Sequence, residues 1–170
     1  LIVGIINLTG LGFTLSGALV GLAEGQPLLL LWVAMLTCLC LGMAVPPTAV
    51  YIIVAGLTVP AMVAAGFEPL AAHFFIFFCS SIGAITPPVA LAAYAASAIA
   101  GSDVTRTGFT AFRLGIAGYL IPFLVMYRPE LMLIGQPREI LLSLLLALVV
   151  ILAAAAALQF VASLGKDEGW

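Results

Sequence analysis

The sequence predicts an all-α integral membrane protein, built from transmembrane helices together with one re-entrant helical hairpin and one discontinuous helix. Composition predicts the membrane location, because 65% of the 170 residues are hydrophobic and only 7% are charged, whereas soluble domains carry about 25% charged residues. The charges also separate long uncharged blocks, each long enough for one or two helices in a bilayer. Two of these blocks contain a central Pro-Pro pair, and proline disrupts a helix interior. These pairs predict the two interrupted elements.

Residues 1–24 form the first predicted element, a transmembrane helix. They are uncharged as far as residue 23, and about 20 apolar residues suffice to cross the hydrocarbon core of a bilayer. The run has no charged leading segment and no cleavage site, so we expect no signal peptide. Because the first residue is Leu1 rather than Met, we expect the chain to be a piece of a longer polytopic protein.

Residues 25–68 are predicted to form a re-entrant hairpin that is broken at 42–47. Its first arm, "PLLLLWVAMLTCLCL", is about 22 Å long as a helix, which is too short for a full crossing. Pro46 and Pro47 prevent a continuous helix, and the apolar tip between the arms requires surrounding protein at membrane depth. The helices expected on either side of the break are 28–41 and 48–65.

Residues 69–102 are predicted to form a discontinuous transmembrane helix that is broken at 85–88. These 34 uncharged residues are too few for two full spans, but they suffice for one crossing made of two half-helices. Pro87 and Pro88 interrupt the helix, and Thr86 is driven from helical geometry by the proline that follows it. The half-helices are expected at 69–84 and 89–100.

The last part of the chain is predicted to contain two further spans. Residues 103–127 combine an interfacial segment with a transmembrane helix, in which Arg113 reaches the membrane surface and Pro122 introduces a kink. The remaining elements are a loop at 128–139, a transmembrane helix at 140–165 and a polar tail at 166–170.

The residue content argues against nucleic-acid binding, a cysteine metal site and enzyme activity. No basic patch is present, so we expect no nucleic-acid partner. The three cysteines lie in apolar runs without metal-ligand spacing, and we interpret them as small buried hydrophobic residues. The apolar blocks contain no Asp or Glu, and their only histidine is His73. A catalytic pair of side chains is therefore lacking, so we predict no enzyme activity and no cofactor.

The two breaks are the candidate binding site. A broken helix leaves carbonyl and N–H groups without intrahelical partners, and the dipoles of its two halves place partial charge at the gap. Secondary transporters bind small ions and anionic substrates at such gaps. One proline kink would often be only mechanical, whereas two breaks, each with a nearby threonine and glycine, favour a site. The candidate ion- and substrate-binding residues are Gly42, Pro46, Thr48, Ser81, Gly83, Ala84, Ile85, Thr86, Pro87 and Pro88.

Oxygen atoms near the breaks would supply the ligands for a hard cation such as Na⁺. We expect the hydroxyl oxygens of Thr48 and Thr86 to bind it, with backbone carbonyls freed in both breaks completing the shell. Each hydroxyl has an alternative use, which is to donate a hydrogen bond to the carbonyl one turn earlier. The same alternative applies to Ser80 and Ser81. For any one of these hydroxyls taken singly, the local hydrogen bond is the favoured use.

Three classes of function fit a polytopic chain with two broken helices. An ion channel would require a symmetric filter sequence and oligomer-forming helices, and neither is present. An intramembrane enzyme would require the catalytic side chains that the apolar blocks lack. A secondary transporter is therefore favoured, with an ion channel or another polytopic protein of the ion-transporter superfamily as the alternative.

Four stretches of the sequence occur in an order that is typical of one family. They are "TGLGFTLSGALVGLAEG", "LGMAVPPTAVYIIVAGLTVPAMVAAGFEPLAAHFF", "ITPPVALAAYAASAIAGSD" and "TGFTAFRLGIAGYLIPFLVMYRPELMLIG". Together they resemble the C-terminal part of the TRAP transporter large permease. The likeness covers residues 1–135 and is closest to the fused 4TM/12TM permeases that work with TAXI-type binding proteins.

The resemblance implies the second inverted repeat of an elevator-type secondary transporter, in which an ion gradient drives uptake without ATP. A TAXI-type extracytoplasmic binding protein would deliver a small organic anion, dicarboxylate-like or glutamate-like, and Na⁺ or H⁺ would be the coupling ion. The resemblance also implies a multi-pass location in a bacterial or archaeal cytoplasmic (inner) membrane. We expect the chain to be a C-terminal fragment without the first repeat. Relatives commonly have glycine and threonine where this chain has Ala44 and Pro47, which leaves Thr48 to supply a hydroxyl.

Overall fold

The computed structural model describes residues 26–43 and 46–164, with side chains as far as residue 157. The predicted helix at 1–24 and the predicted tail at 166–170 lie outside the described residues. Every regular element within the described ranges is helical, in agreement with the all-α prediction. The α-helices there are α1 (Pro27–Gly42), α2 (Pro47–Ala64), α3 (Pro69–Ile82), α4 (Leu91–Ala100), α5 (Val104–Gly115), α6 (Leu120–Tyr127) and α7 (Pro137–Leu164).

The first break is shorter than predicted. Gly42 is the last residue of α1 and Pro47 is the first residue of α2, so both are helical although we expected them to be non-helical. A proline is well tolerated at the first helical position, because the N–H that it lacks would have no intrahelical partner there. Pro46 precedes α2 with extended backbone, as expected for a residue that is followed by proline.

The second break begins later than predicted. α3 ends at Ile82 and continues as a 3₁₀ helix at Gly83–Ile85, so Ile85 is helical and does not belong to the break. Thr86 is the first extended residue, because the proline that follows it disfavours helical backbone. At the other end of the helix, the Glu68 carboxylate accepts a hydrogen bond of 2.8 Å from the backbone N–H of Ala71 and caps α3.

The second break also ends later than predicted. The peptide bond between Pro87 and Pro88 is cis, and Ala90 has a φ of 39°. This left-handed conformation cannot continue a right-handed helix. α4 therefore begins at Leu91 rather than at the predicted Val89.

α5 and α6 form one helical rod, Val104–Tyr127, that corresponds to the span predicted at 103–127. A 3₁₀ helix at Ile116–Tyr119 joins the two α-helices. Pro122 explains this interruption, because proline has no N–H to donate to the carbonyl of Gly118 four residues earlier, and its ring crowds that carbonyl.

The loop predicted at 128–139 is partly helical. It contains a 3₁₀ helix at Pro129–Met132, and α7 begins at Pro137, three residues earlier than predicted. Pro137 is again a proline at a first helical position. Along α7, large apolar side chains are exposed in the described part, as expected for a helix that faces lipid. They are Leu141, Leu142, Leu144, Leu145, Leu146, Leu148, Val149 and Leu152.

Three helical stretches in the described ranges are long and apolar enough to cross a membrane. They are Pro47–Ala64, Val104–Tyr127 and Pro137–Ala157. α2 thus reaches the length of a full span, whereas α1, with 16 residues, does not. The re-entrant path of this helix pair stays a prediction, because helix length alone does not place it in the bilayer.

The core lies between α1, α2 and α3, which pack against one another, while α6 packs on α3 and α4 packs on α5. Lipid tails are as apolar as the core side chains, so this packing depends on close van der Waals contact rather than on removal from water. Cys38 and Cys79 are buried in the core, as predicted. Cys40 is exposed, contrary to the prediction, because it lies on a different side of α1 from Cys38.

Candidate functional site

The helical segments that lead into the two breaks meet at a pair of buried glycines. Gly42 ends α1, and Gly83 directly follows α3. A Cβ atom built on Gly83 would lie 2.9 Å from the Cα of Gly42 and 3.1 Å from its carbonyl carbon. Because a carbon–carbon bond is about 1.5 Å long, the two Cα atoms lie within about 4.5 Å of each other. The chain segments that lead into the two breaks are therefore in backbone contact.

The glycine contact brings the carboxyl ends of two helices together. The last carbonyl groups of an α-helix lack intrahelical partners and together carry about half a negative charge. Both α1 and α3 end at the contact, so this partial negative charge converges there. α4 begins just beyond the second break and contributes the N–H groups of a helix amino end. Helix carbonyl groups at the contact would suit a cation, and the N–H groups at the amino end of α4 would suit an anion.

Thr86 is buried in the second break and its hydroxyl has two partners. The hydroxyl donates to the carbonyl oxygen of Ile82 at 2.9 Å. This is the bond to the carbonyl one turn earlier that the sequence analysis considered. Its oxygen also lies 2.6 Å from the hydroxyl oxygen of Tyr119. A threonine has one hydroxyl proton, and that proton is directed at Ile82. Tyr119 is therefore the donor to Thr86.

Two carbonyls that we expected to be free in the breaks are hydrogen-bonded. The carbonyl of Thr86 accepts from the backbone N–H of Ala90 at 3.2 Å. The carbonyl of Pro46 accepts from the N–H groups of Ala49 and Val50 at 3.0 and 3.1 Å. The two bonds to Pro46 come from the first turn of α2, and the bond to Thr86 comes from Ala90, the residue just before α4.

The serines near the second break also form local hydrogen bonds. Ser80 is buried and donates to the carbonyl of Ile76 at 2.6 Å. Ser81 is exposed and donates to the carbonyl of Phe77 at 3.0 Å. The local alternative thus holds for both hydroxyls, as it does for Thr86.

Thr48 differs from these residues in its surroundings. It lies in the first turn of α2, its side chain is exposed, and its hydroxyl makes no hydrogen bond within residues 26–43 and 46–164. The structure therefore brings Gly42 and Gly83 together but shows no bond between Thr48 and Thr86. A joint role of the two threonines as ion ligands stays a prediction.

The other predicted site residues surround the second break. Ala84 and Ile85 lie in the 3₁₀ helix, and the Pro88 carbonyl accepts a hydrogen bond of 2.9 Å from the hydroxyl of Tyr94. Pro87 precedes Pro88 within the break. Their role in binding an ion or a substrate stays a prediction.

Sequence reasoning missed two residues that contact the second break, and a third that contacts the 3₁₀ helix before it. Tyr94 and Tyr119 bond to the second break through their hydroxyls. Ile85 packs against Gly115, which has no side chain. A Cβ on Gly115 would lie 2.6 Å from the Ile85 Cδ1. A tyrosine in an apolar run is a usable signal, because its hydroxyl normally finds a partner when it is buried. Nothing in the sequence pattern marks Gly115.

Acidic and metal-binding side chains do not cluster near the breaks. Within the described part of the chain, no three His, Cys, Asp or Glu residues lie close enough together to hold a metal ion. His73 is hydrogen-bonded to the hydroxyl of Tyr51 at 3.0 Å on an exposed face of α2 and α3. Oxygen ligands for a cation at the breaks would therefore come from hydroxyl and carbonyl groups.

Comparison with protein families gives one match. Residues 1–140 match the family described as "Tripartite ATP-independent periplasmic transporter, DctM component". No curated protein and no solved structure matched the chain. The match extends from the first residue through α6 and ends in the first turn of α7. Because it covers most of the 170 residues, the chain belongs to the DctM family, the large permease component of the TRAP transporters.

Proposed function

We propose that this chain is the permease part of an ion-gradient-driven secondary transporter that imports small organic acids. The single observation that carries the proposal is the backbone contact between Gly42 and Gly83. It joins two interrupted helices at one point, as required of an ion- and substrate-binding gap. A simple proline kink would need no partner break beside it.

The cation would bind on the carbonyl side of this gap. The converging ends of α1 and α3 supply partial negative charge, and the neighbouring oxygens belong to carbonyls and to Thr86. Proton relays in membrane proteins commonly use buried carboxylates, and within the described residues the apolar helices near the breaks contain no Asp or Glu. Neutral oxygen ligands suit Na⁺ as a hard cation, so we favour Na⁺ over H⁺ as the coupling ion.

The organic acid would bind toward the amino end of α4. The first N–H groups of a helix are free to donate hydrogen bonds to a carboxylate, and the helix dipole favours the negative charge there. This arrangement supports an anionic substrate of the dicarboxylate or glutamate type. A TRAP permease works with an extracytoplasmic substrate-binding protein, and the resemblance to the fused permeases supports a TAXI-type partner in a bacterial or archaeal cytoplasmic membrane.

Uptake by the reconstituted full-length permease tests the proposal. Proteoliposomes with the added binding protein would be supplied with radiolabelled dicarboxylates or glutamate, under separately imposed Na⁺ and pH gradients. We expect uptake that requires both the binding protein and the Na⁺ gradient. Uptake driven by the pH gradient alone would reject Na⁺ coupling. Ion currents without the binding protein would instead favour the channel alternative.

A matched pair of threonine substitutions locates the ion. Thr86→Val and Thr58→Val each remove a buried hydroxyl that donates to the carbonyl four residues earlier, and both preserve side-chain shape. Only Thr86 lies at the breaks. Losing one ligand oxygen should weaken the site by about 1–3 kcal/mol, so Thr86→Val should raise the half-saturating Na⁺ concentration about tenfold. Thr58→Val should leave it unchanged, and equal effects of both would remove Thr86 from the site.

A further inference from the structure

Two tyrosines outside the second break each donate a hydrogen bond into it. Tyr94, in the first turn of α4, donates to the carbonyl of Pro88 at 2.9 Å. Tyr119, which lies 33 residues beyond Thr86 in the 3₁₀ helix before α6, donates to the Thr86 hydroxyl oxygen at 2.6 Å. The two bonds approach the break from different elements and contact it at its first residue and at its centre.

The break depends on these side chains because its own backbone bonds are few. Between the 3₁₀ helix and α4, the Thr86 N–H donates to the Gly83 carbonyl, and the Ala90 N–H donates to the Thr86 carbonyl. Both prolines lack an N–H and contribute no donor. The oxygen atoms of this segment would otherwise sample several positions, and ordering them on binding would reduce affinity.

Tyr119 is itself firmly held. Its ring packs edge-on against Phe112, with ring centroids 5.6 Å apart. The residue just before it, Gly118, faces Ile82, since a Cβ there would lie 3.7 Å from the Ile82 Cδ1. The helical rod of α5 and α6 therefore presents the Tyr119 hydroxyl to the break from a rigid support.

We propose that Tyr94 and Tyr119 are positioning residues of the cation site, which hold the oxygens of the second break in the arrangement that binds Na⁺. This inference rests on the proposed function, because it assumes that the break binds the coupling ion. Tyr119 fixes the Thr86 hydroxyl oxygen and leaves it one lone pair for a cation. Tyr94 fixes the Pro88 carbonyl. Neither tyrosine needs to touch the ion.

Tyrosine-to-phenylalanine substitutions test the inference, because they remove one oxygen and retain the ring. Tyr94→Phe and Tyr119→Phe remove the two bonds. Tyr127→Phe is the matched control, since Tyr127 is exposed, packs by its ring against Phe67, and has no hydroxyl partner in the described ranges. Binding of radioactive Na⁺ to the full-length permease in lipid nanodiscs gives the dissociation constant and the number of sites.

We expect Tyr94→Phe and Tyr119→Phe each to raise the Na⁺ dissociation constant by about three- to tenfold, the range for losing one hydrogen bond. The number of sites should not change, and Tyr127→Phe should bind as the unaltered protein does. The gain in melting temperature on adding Na⁺ should shrink in the two variants, because a weaker ligand stabilises the folded state less. A purely structural role would lower the melting temperature with and without Na⁺ but leave the dissociation constant unchanged.

A double-mutant cycle gives a second test, which compares the effect of the double variant with the effects of the two single variants. If Tyr119 acts through Thr86, Thr86→Val and Tyr119→Phe combined should weaken binding less than the product of their separate effects. Independent effects, an unchanged dissociation constant in both tyrosine variants, or tighter binding would overturn the inference. Absence of Na⁺ binding by the unaltered protein would instead reject the proposed Na⁺ site, and the inference with it.

Discussion

Replacing Gly83 by alanine should separate α1 from α3. The new Cβ would lie 2.9 Å from the Gly42 Cα and 3.1 Å from the Gly42 carbonyl carbon, whereas carbon atoms in contact prefer about 3.5–4.0 Å. Both neighbours are backbone atoms, so no side chain can rotate away to make room. The two helix ends must therefore move apart by roughly 0.5–1 Å.

Overpacking of this kind typically costs about 1–3 kcal/mol. A chain of 150–250 residues would lose about 2–4 °C of melting temperature per kcal/mol, and a longer chain loses less, so Gly83→Ala should lower the melting temperature of the full-length permease by a few degrees at most. Because the same contact joins the two breaks, Na⁺ binding should weaken as well. Thermal unfolding of the full-length permease in lipid, with and without Na⁺, measures both effects.

Gly56→Ala is the matched control for this experiment. Gly56 lies inside α2, and a Cβ there would meet no atom of the described structure within 4 Å. Alanine favours a helix interior over glycine by about 0.8–1 kcal/mol, so this variant should be as stable as the unaltered protein or more stable. If Gly83→Ala and Gly56→Ala unfolded at the same temperature and bound Na⁺ equally, the close contact of the breaks would be wrong.

Two further predictions concern Gly115, beside the 3₁₀ helix that precedes the second break, and Glu68, at the opposite end of α3. Gly115→Ala would place a Cβ 2.6 Å from the Ile85 Cδ1; because that atom ends a flexible side chain, we expect a loss of only about 1 kcal/mol, which Ile85→Val should reverse in thermal unfolding. Glu68→Ala should destabilise α3 by about 0.5–2 kcal/mol through loss of the cap on Ala71. Glu68→Gln retains an acceptor oxygen and should lose less, so equal unfolding temperatures for the two variants would argue against the cap.

The positions of the breaks were predictable to within a few residues because proline acts locally. A missing N–H and a bulky ring disrupt a helix in any surroundings, so Pro46-Pro47 and Pro87-Pro88 marked both interruptions. The errors at their edges have equally local causes. Pro47 could begin a helix because the first turn needs no N–H, and the left-handed backbone of Ala90 delayed the start of α4.

The local use of each hydroxyl was predictable from sequence. Thr86, Ser80 and Ser81 each had a local carbonyl within reach, and each donates to it. The helical backbone four residues earlier supplies that acceptor, so this bond depends only on nearby residues. The second partner of Thr86 was beyond prediction, because Tyr119 is 33 residues away in the chain.

The sequence by itself determined the helical class, the apolar character of the spans and the two proline breaks, because hydropathy and proline chemistry are properties of short stretches of chain. Only the tertiary structure decided that Gly42 lies against Gly83 and that Tyr119 bonds to Thr86. The physical reason is that such contacts join residues far apart in the chain. They depend on how α1, α3 and the rod of α5 and α6 pack, and a single sequence carries no direct signal for the distance between helices.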